Sequence, residues 1–367
     1  MDDRTLDWLA FHLAFLSARG AGRRAMERFG DVGGIVRARP SDLEGLGLPE
    51  AAVRAVAGGE ALAAAERELE IIHRKAYTLL TLEDPGYPRY LREIFDAPPV
   101  LYCAGRADVL EDPAVAVVGS RRPTFYGRAL AEKLAGELAS RGCAIVSGLA
   151  VGIDACAHWG ALRNGRTIAV LGSGLDVLYP RVNAGLAAKI MERGAVLTEF
   201  PLGTEPLQWN FPVRNRIISG LALGLVVVEA AERSGSLISA GFALDQGREV
   251  MAVPGNVTSD LSRGTNRLIK AGAALVETWE DVAGELPSPW RENLLAQRIE
   301  KADNTGDPLS EDESRLMKEL PKDAAIHVDE LADRTDVPVS GLLALLLGLE
   351  LRGLVVQHPG KLFQRSM

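Results

Sequence analysis

A phenylalanine and two arginines fall within six residues in the run Phe211-Pro212-Val213-Arg214-Asn215-Arg216. About ninety residues earlier, the apolar run Ala114 to Val118 ends in Gly119-Ser120-Arg121-Arg122, a glycine turn carrying two more guanidiniums. A guanidinium is a planar fork of donors that matches phosphate oxygens in a way a lysine point charge does not. An aromatic ring beside it offers a base a stacking face. The chemistry these residues suit is a grip on the backbone and bases of a nucleic acid, not bond cleavage.

Other polar clusters are weaker. Gly148 to His158 joins a strand end to a helix, with Asp154 and His158 at i,i+4 on one helix face. Two residues are too few to ligate a metal. Asp154 is therefore read as a first-turn carboxylate suited to the helix dipole, with His158 as its partner. Ser234-Gly235-Ser236 and the loop containing Gly255, Gly264, Thr265 and Asn266 are small-residue turns able to cradle phosphate through backbone N–H groups. Neither a Gly-x-Gly-x-x-Gly fingerprint nor a Walker lysine accompanies the Gly119 turn, so dinucleotide binding is not expected. Cys103, Cys143 and Cys156 lack metal-ligand spacing, and the first two read as buried structural thiols.

The elements that must hold these residues alternate from Ala76 onward. Strand-like runs at Tyr77–Leu82, Val100–Tyr102, Ala114–Val118, Ala144–Val146, Thr167–Leu171, Ala195–Thr198, Leu223–Val228 and Glu249–Val253 are interleaved with helices. The helices are expected near Gly127–Ser140, Ile153–Asn164, Asn183–Arg193, Arg216–Leu223 and Leu237–Gln246. Continuous apolar strands alternating with helices predict an α/β domain, a Rossmann-like, doubly wound, mostly parallel sheet over residues 73–284. Ligands in such domains collect at the carboxyl ends of the strands. Residues 1–72 read as short helices, 285–308 as a polar linker, and 309–367 as helix, helix-turn-helix and hairpin, a winged-helix-like pattern. The would-be recognition helix, Ser340 to Leu351, has no basic residue, which argues against a major-groove role.

The chain of 367 residues carries 41 Lys+Arg against 49 Asp+Glu, a net charge of −8. The segment from Ala114 to Lys270 has 17 basic and 12 acidic residues, so a +5 centre sits between flanks that total −13. Such a centre keeps a phosphate-attracting field on an anionic protein. No apolar run approaches the roughly 20 residues of a membrane span, and the acidic start does not read as a signal peptide. A reduced, cytoplasmic protein is the expectation.

Five motifs in order, Gly119-Ser120-Arg121, Ser147 to Asp154, Phe211 to Ile218, Ser234-Gly235-Ser236 and Val253-Pro254-Gly255, closely resemble the DNA-processing protein A (DprA, also called Smf) family. The match spans roughly residues 75 to 280, and the flanks fit a SAM-like helical module and a winged-helix-like one. The resemblance implies a dimeric single-stranded DNA binder, with no enzymatic activity and no cofactor, that protects incoming DNA in natural transformation and loads the RecA recombinase. By position, Arg121 is similar to the family's phosphate contact, Phe211 to its base-meeting aromatic, and Gly203 to a pocket glycine. Gln208 stands where the family often has lysine, leaving Arg214 or nearby Arg181 to supply that charge. The expected site comprises Gly119, Ser120, Arg121, Arg122, Gly148, Gly203, Gln208, Phe211, Arg214, Asn215, Arg216, Ser234, Gly235 and Ser236. The alternative is a nucleotide-cleaving phosphoribohydrolase of related fold, whose glycine-rich loop carries a glutamate. Ser234 to Ser239 has no acid at that offset.

Overall fold

A computed structural model describes residues 3–16, 18–43, 46–296, 310–321, 324–335, 337–351 and 354–365. The chain divides into two compact units, 1–297 and 298–367.

The first unit is built on nine strands: β1 (Thr78–Thr81), β2 (Val100–Gly105), β3 (Ala114–Val118), β4 (Ala144–Ser147), β5 (Thr167–Val170), β6 (Ala195–Thr198), β7 (Gly224–Val227), β8 (Glu249–Ala252) and β9 (Ala274–Leu275). Their order across the sheet is β1-β2-β6-β5-β4-β3-β7-β8-β9. The seven strands from β6 to β9 are parallel, while β2 runs antiparallel to β6 and β1 antiparallel to β2. Every residue of β3, β4, β5, β6 and β7 is buried, as a sheet covered on both faces requires. The two-residue strand β9 is too short to have left a periodic signal in the sequence.

Helix Asn210–Leu221 begins at Asn210, not at Arg216. Pro212 lies in its first turn, where a missing N–H breaks no intrahelical bond. The Phe-Arg-Arg run is therefore part of the helix rather than the loop before it. That helix and Gly235–Asp245 cover one face of the sheet, where Ile217, Ile218, Leu221 and Ala243 pack with Leu101, Ala116 and Leu225. Helices Phe125–Ala139 and Ile153–Asn164 cover the other, where Leu134, Leu138 and Ala157 meet Val115, Val117 and Ile145.

The N-terminal helices share a core with the β2–β6 side of this sheet. Trp8, Leu9 and Phe11 pack in one cluster with Val100, Tyr102, Ala169 and Val196. His12 Nε2 donates to the Glu199 carbonyl at 2.7 Å, and the Glu68 carboxylate accepts from Leu202 N–H at 2.8 Å. Within 285–308, residues Trp290–Ala296 form a helix rather than linker. Leu294 is buried in the sheet's core and Trp290 Nε1 donates to Tyr90 Oη at 3.0 Å. Residues 297–308 of that expected linker lie outside the described residues.

The second unit has helices Glu311–Glu319, Val328–Thr335 and Val339–Leu351 and a three-stranded antiparallel sheet, β10 (Ile326–His327), β11 (Val355–His358) and β12 (Leu362–Arg365), ordered β10-β12-β11. Leu316, Leu331, Leu342, Leu346 and Phe363 form its core. This is a winged helix, and its last helix carries no Lys or Arg. Among the described residues no helix is long and apolar enough to cross a membrane.

Candidate nucleic-acid interface

Strand β3 is the topological switch point. The chain moves from it to β4, β5 and β6 on one side and then returns to β7, β8 and β9 on the other. Loops leaving β3 and β7 part there and open a crevice at the carboxyl edge. A cleft of about 730 Å³ occupies this position, lined by Gly119, Ser120, Arg121, Gln208, Phe211, Arg214, Asn215, Ser234, Gly235 and Ser236, among others. A smaller recess beside it brings in Gly148, Val151, Tyr179 and Pro180 with Arg121, Phe211 and Arg214.

Two glycines make this geometry possible. Gly152 sits at φ +89°, and a Cβ there would lie 2.4 Å from the Ser120 carbonyl oxygen, so the β3 and β4 loops can touch only at a glycine. A Cβ on Gly148 would come within 2.7 Å of Arg214 Nη2 and 2.8 Å of Asp154 Oδ2. Ser120 N–H donates to the Glu229 carbonyl at 2.7 Å. The Glu229 carboxylate in turn accepts from Thr124 N–H at 2.8 Å and from the Thr124 hydroxyl. Thr124 caps helix Phe125–Ala139 through Gly127 N–H, so one buried glutamate at the end of β7 ties down both ends of the Arg121 turn.

The exposed Arg121 guanidinium stands 5.5 Å above the Phe211 ring, and Tyr179 lies 5.7 Å from that ring at 42°. Arg214 approaches Phe211 from beneath, at 5.9 Å, and is almost wholly buried. Its Nη1 donates to the carbonyls of Gly148 (2.9 Å) and Val170, and its Nε to Asn215 Oδ1 (3.3 Å). Burial pushes the Arg214 guanidinium down to about 10, Asp154 opposes that shift, and Arg121 adds to it. A positive floor, a stacking ring and an exposed guanidinium at the rim suit an anionic, aromatic ligand.

Several expected site residues are placed elsewhere. Arg216 is 2% exposed, with its Nη atoms on both Glu199 carboxylate oxygens at 2.8 Å and its Nε on Asp96 Oδ2 at 2.7 Å. Residues two apart on a helix point about 200° apart, so Arg214 and Arg216 cannot face the same cleft. Arg216 is an internal ion pair rather than a phosphate contact. Gly203, at φ +75°, gives its N–H to Asp176 Oδ1 at 2.8 Å and does not line the cleft. Arg122 is exposed beside the turn, with its N–H on Ser120 Oγ at 3.0 Å.

Asp154 is not paired with His158. Its Oδ2 accepts from Gly148 N–H (3.1 Å) and Ala150 N–H (3.4 Å), which holds the glycine turn closed, and burial pushes its carboxyl up. His158 Nδ1 instead meets Thr167 Oγ1 at 2.7 Å. That hydroxyl already donates to the Ile145 carbonyl at 2.6 Å, so His158 must be the donor, neutral and protonated on Nδ1. The Gly255 loop is closed on itself, since Asn266 bonds both the N–H (3.2 Å) and the carbonyl (2.9 Å) of Gly255. Cys103 and Cys143 are buried, each thiol pushed up to about 12 by desolvation. Among the described residues no His, Cys, Asp and Glu cluster could hold a metal.

Sequence reasoning missed Tyr179 and Glu229 as parts of the site. A signal existed for Tyr179, because Gly172-Ser173-Gly174 after β5 is another strand-end turn, followed by Tyr179-Pro180-Arg181. Glu229, a lone acid after an apolar strand, offered none.

The family model for DNA recombination-mediator protein A matches residues 78–287, and that for the DprA winged helix domain matches residues 300–361. The chain is 36% identical to Protein Smf of Synechocystis over 97% of its own length and 98% of the relative's. It resembles the X-ray structure of DNA processing protein A from Streptococcus pneumoniae with a TM-score of 0.65 and 38% identity, covering 76% of this chain and 98% of that one. A second structure, of DNA processing protein A from Helicobacter pylori, is described by its single-stranded DNA binding mode. It matches with a TM-score of 0.52 and 33% identity over 56% of this chain and 93% of that one.

Proposed function

The chain belongs to the family of DNA recombination-mediator protein A, and on that premise we propose that its cleft grips single-stranded DNA without strong sequence choice. A phosphate sits between Arg121 and the Ser234-Gly235-Ser236 turn, and a base lies on Phe211. The observation that carries this reading is Arg121 standing over Phe211 in an open cleft, above the buried Arg214. Aromatic platforms beside guanidiniums accept any base, because every base has a π-face. Binding of the Helicobacter pylori relative to single-stranded DNA supports it. We further infer, in line with the family, that the protein works as a homodimer, protects incoming DNA during transformation and hands it to the RecA recombinase, and performs no catalysis of its own. That last point draws support from Asp154, whose carboxylate is engaged by two backbone amides rather than poised to attack.

The test is a binding series with single-stranded and blunt duplex oligonucleotides at two salt concentrations. Single strands are bound more tightly, with affinity falling steeply with salt. Equal or tighter duplex binding overturns the proposal. Release of free base from a nucleoside monophosphate would instead identify the related nucleotide-cleaving enzyme.

A further inference from the structure

The cleft has a way out that carries its own chemistry. The turn Arg181–Asn183 is fastened to the floor of the recess by Asn183 Nδ2, which donates to the Leu149 carbonyl at 2.8 Å. From that turn starts helix Ala184–Arg193, which packs beside helix Ile153–Asn164. Both helices follow strands of the parallel sheet and so start at the same edge, running away from the cleft side by side. On the outer side of this pair Trp159 is 40% exposed, and Lys189 Nζ lies 4.8 Å over its ring. Trp159 is six residues into one helix and Lys189 five into the other, so they lie roughly 7–9 Å from the rim at 1.5 Å per residue.

Charge distinguishes this groove. Arginines at the far end of helix Ile153–Asn164 and just beyond it are neutralised, Arg163 by Glu132 and Arg166 by Asp108 and Asp112. Among the described residues, Arg121, Arg181 and Lys189 have no carboxylate partner. An exposed tryptophan with an unneutralised lysine repeats, one step further on, the Phe211–Arg121 pairing at the cleft. Tyr179, 43% exposed and 5.7 Å from Phe211, precedes the Arg181–Asn183 turn from which the Lys189 helix starts.

Resting on the single-strand reading above, we propose that DNA leaving the cleft continues past Tyr179 and Arg181 into the groove between these two helices. There a base stacks on Trp159 and a phosphate meets Lys189. At about 3.4 Å per stacked nucleotide, the Trp159 position is two to three nucleotides beyond the rim. The occupied length is therefore longer than the cleft alone can hold.

The experiment uses the full chain and fluorescence anisotropy with oligothymidylates of four and of twenty nucleotides. Trp159→Ala weakens the twenty-mer by roughly five- to a hundredfold, the cost of one lost base–aromatic stack, and leaves the four-mer unchanged. Trp159→Phe restores most of the affinity, and Lys189→Glu weakens the twenty-mer alone. Arg121→Ala weakens both lengths. Equal affinity of Trp159→Ala and the parent protein for the twenty-mer overturns the groove, as does an equal loss on both lengths. Should Arg121→Ala leave both lengths unaffected, the cleft reading itself fails, an outcome distinct from failure of the groove. Should Trp159→Ala not fold, Trp159→Phe and Lys189→Glu decide the question.

Discussion

Four arginines of similar appearance in the sequence have different work in the fold. Arg121 is exposed over Phe211, whereas Arg216 is buried between Glu199 and Asp96. Arg121→Ala should therefore lower single-strand affinity about tenfold to a hundredfold, the loss of one charge-assisted contact of about 1.5–3 kcal/mol, at an unchanged melting temperature. Arg216→Ala should do the reverse in kind. It leaves the buried Glu199 charge uncompensated, at about 3–5 kcal/mol of stability in urea unfolding. An Arg216→Ala protein that melts normally but has lost DNA binding would return that residue to the interface. His158 supplies a pH signature. Its imidazole is buried, its Nε2 has no partner among the described residues, and burial pushes it down to about 3. The unfolded chain, titrating near 6.5, then binds the proton that the native state refuses. Stability should fall as pH drops from about 6.5 towards 3, by up to about 1.4 kcal/mol per pH unit from this group. Urea melts at pH 7 and pH 5 check it: His158→Gln should lose less between them than the parent protein does. Asp154, pushed the opposite way, contributes with opposite sign just above its unfolded value near 4.

Among the elements, the turn from β4 into helix Ile153–Asn164 sets the floor of the cleft. Asp154 closes it from the first turn of the helix, Arg214 crosses beneath it, and Gly148 separates the two. Gly148→Ala should push the guanidinium and carboxylate aside, costing about 1–3 kcal/mol of overpacking and weakening DNA through the displaced Arg214 and Phe211. Thermal unfolding and anisotropy on the same preparation test it, and a variant unchanged in both would show that the turn has slack the distances do not suggest. The start of helix Asn210–Leu221 has a comparable role. Moving the helix boundary back to Asn210 converts a presumed row of loop side chains into a rotating sequence of faces, and only one of the two arginines can then meet the cleft.

For the whole molecule, the unit boundary falls near 297, and the N-terminal helices complete the first unit's core. A fragment of residues 1–297 should keep the single-strand affinity and the salt slope, because each neutralised phosphate adds to that slope and the last winged-helix helix has no positive charge. A fragment starting at Tyr77 should instead expose the apolar face covered by Trp8, Leu9 and Phe11, and melt at lower temperature. A salt titration on the 1–297 fragment beside the full chain decides it. A slope reduced by two or more charges would place the winged helix on DNA.

Period and composition were enough to reveal the alternating strands and helices, the winged-helix order and the absence of a basic recognition helix, because those patterns are local and the central strands β3 to β7 are buried on both faces. The strand-end turns after β3 and β7 were also legible as places where a ligand could sit. What the chain's order could not carry was side-chain direction. Phase within helix Asn210–Leu221 sends Arg214 under the cleft and Arg216 into an ion pair with residues 17 and 120 positions away. His158 leaves its neighbour Asp154 for Thr167 at the start of β5, and Glu229 reaches back 105 positions to fasten the Arg121 turn. Each of these bonds lies beyond the reach of a single helix or turn, and each is made because burying a charge or an imidazole without a partner costs more than any local preference can return.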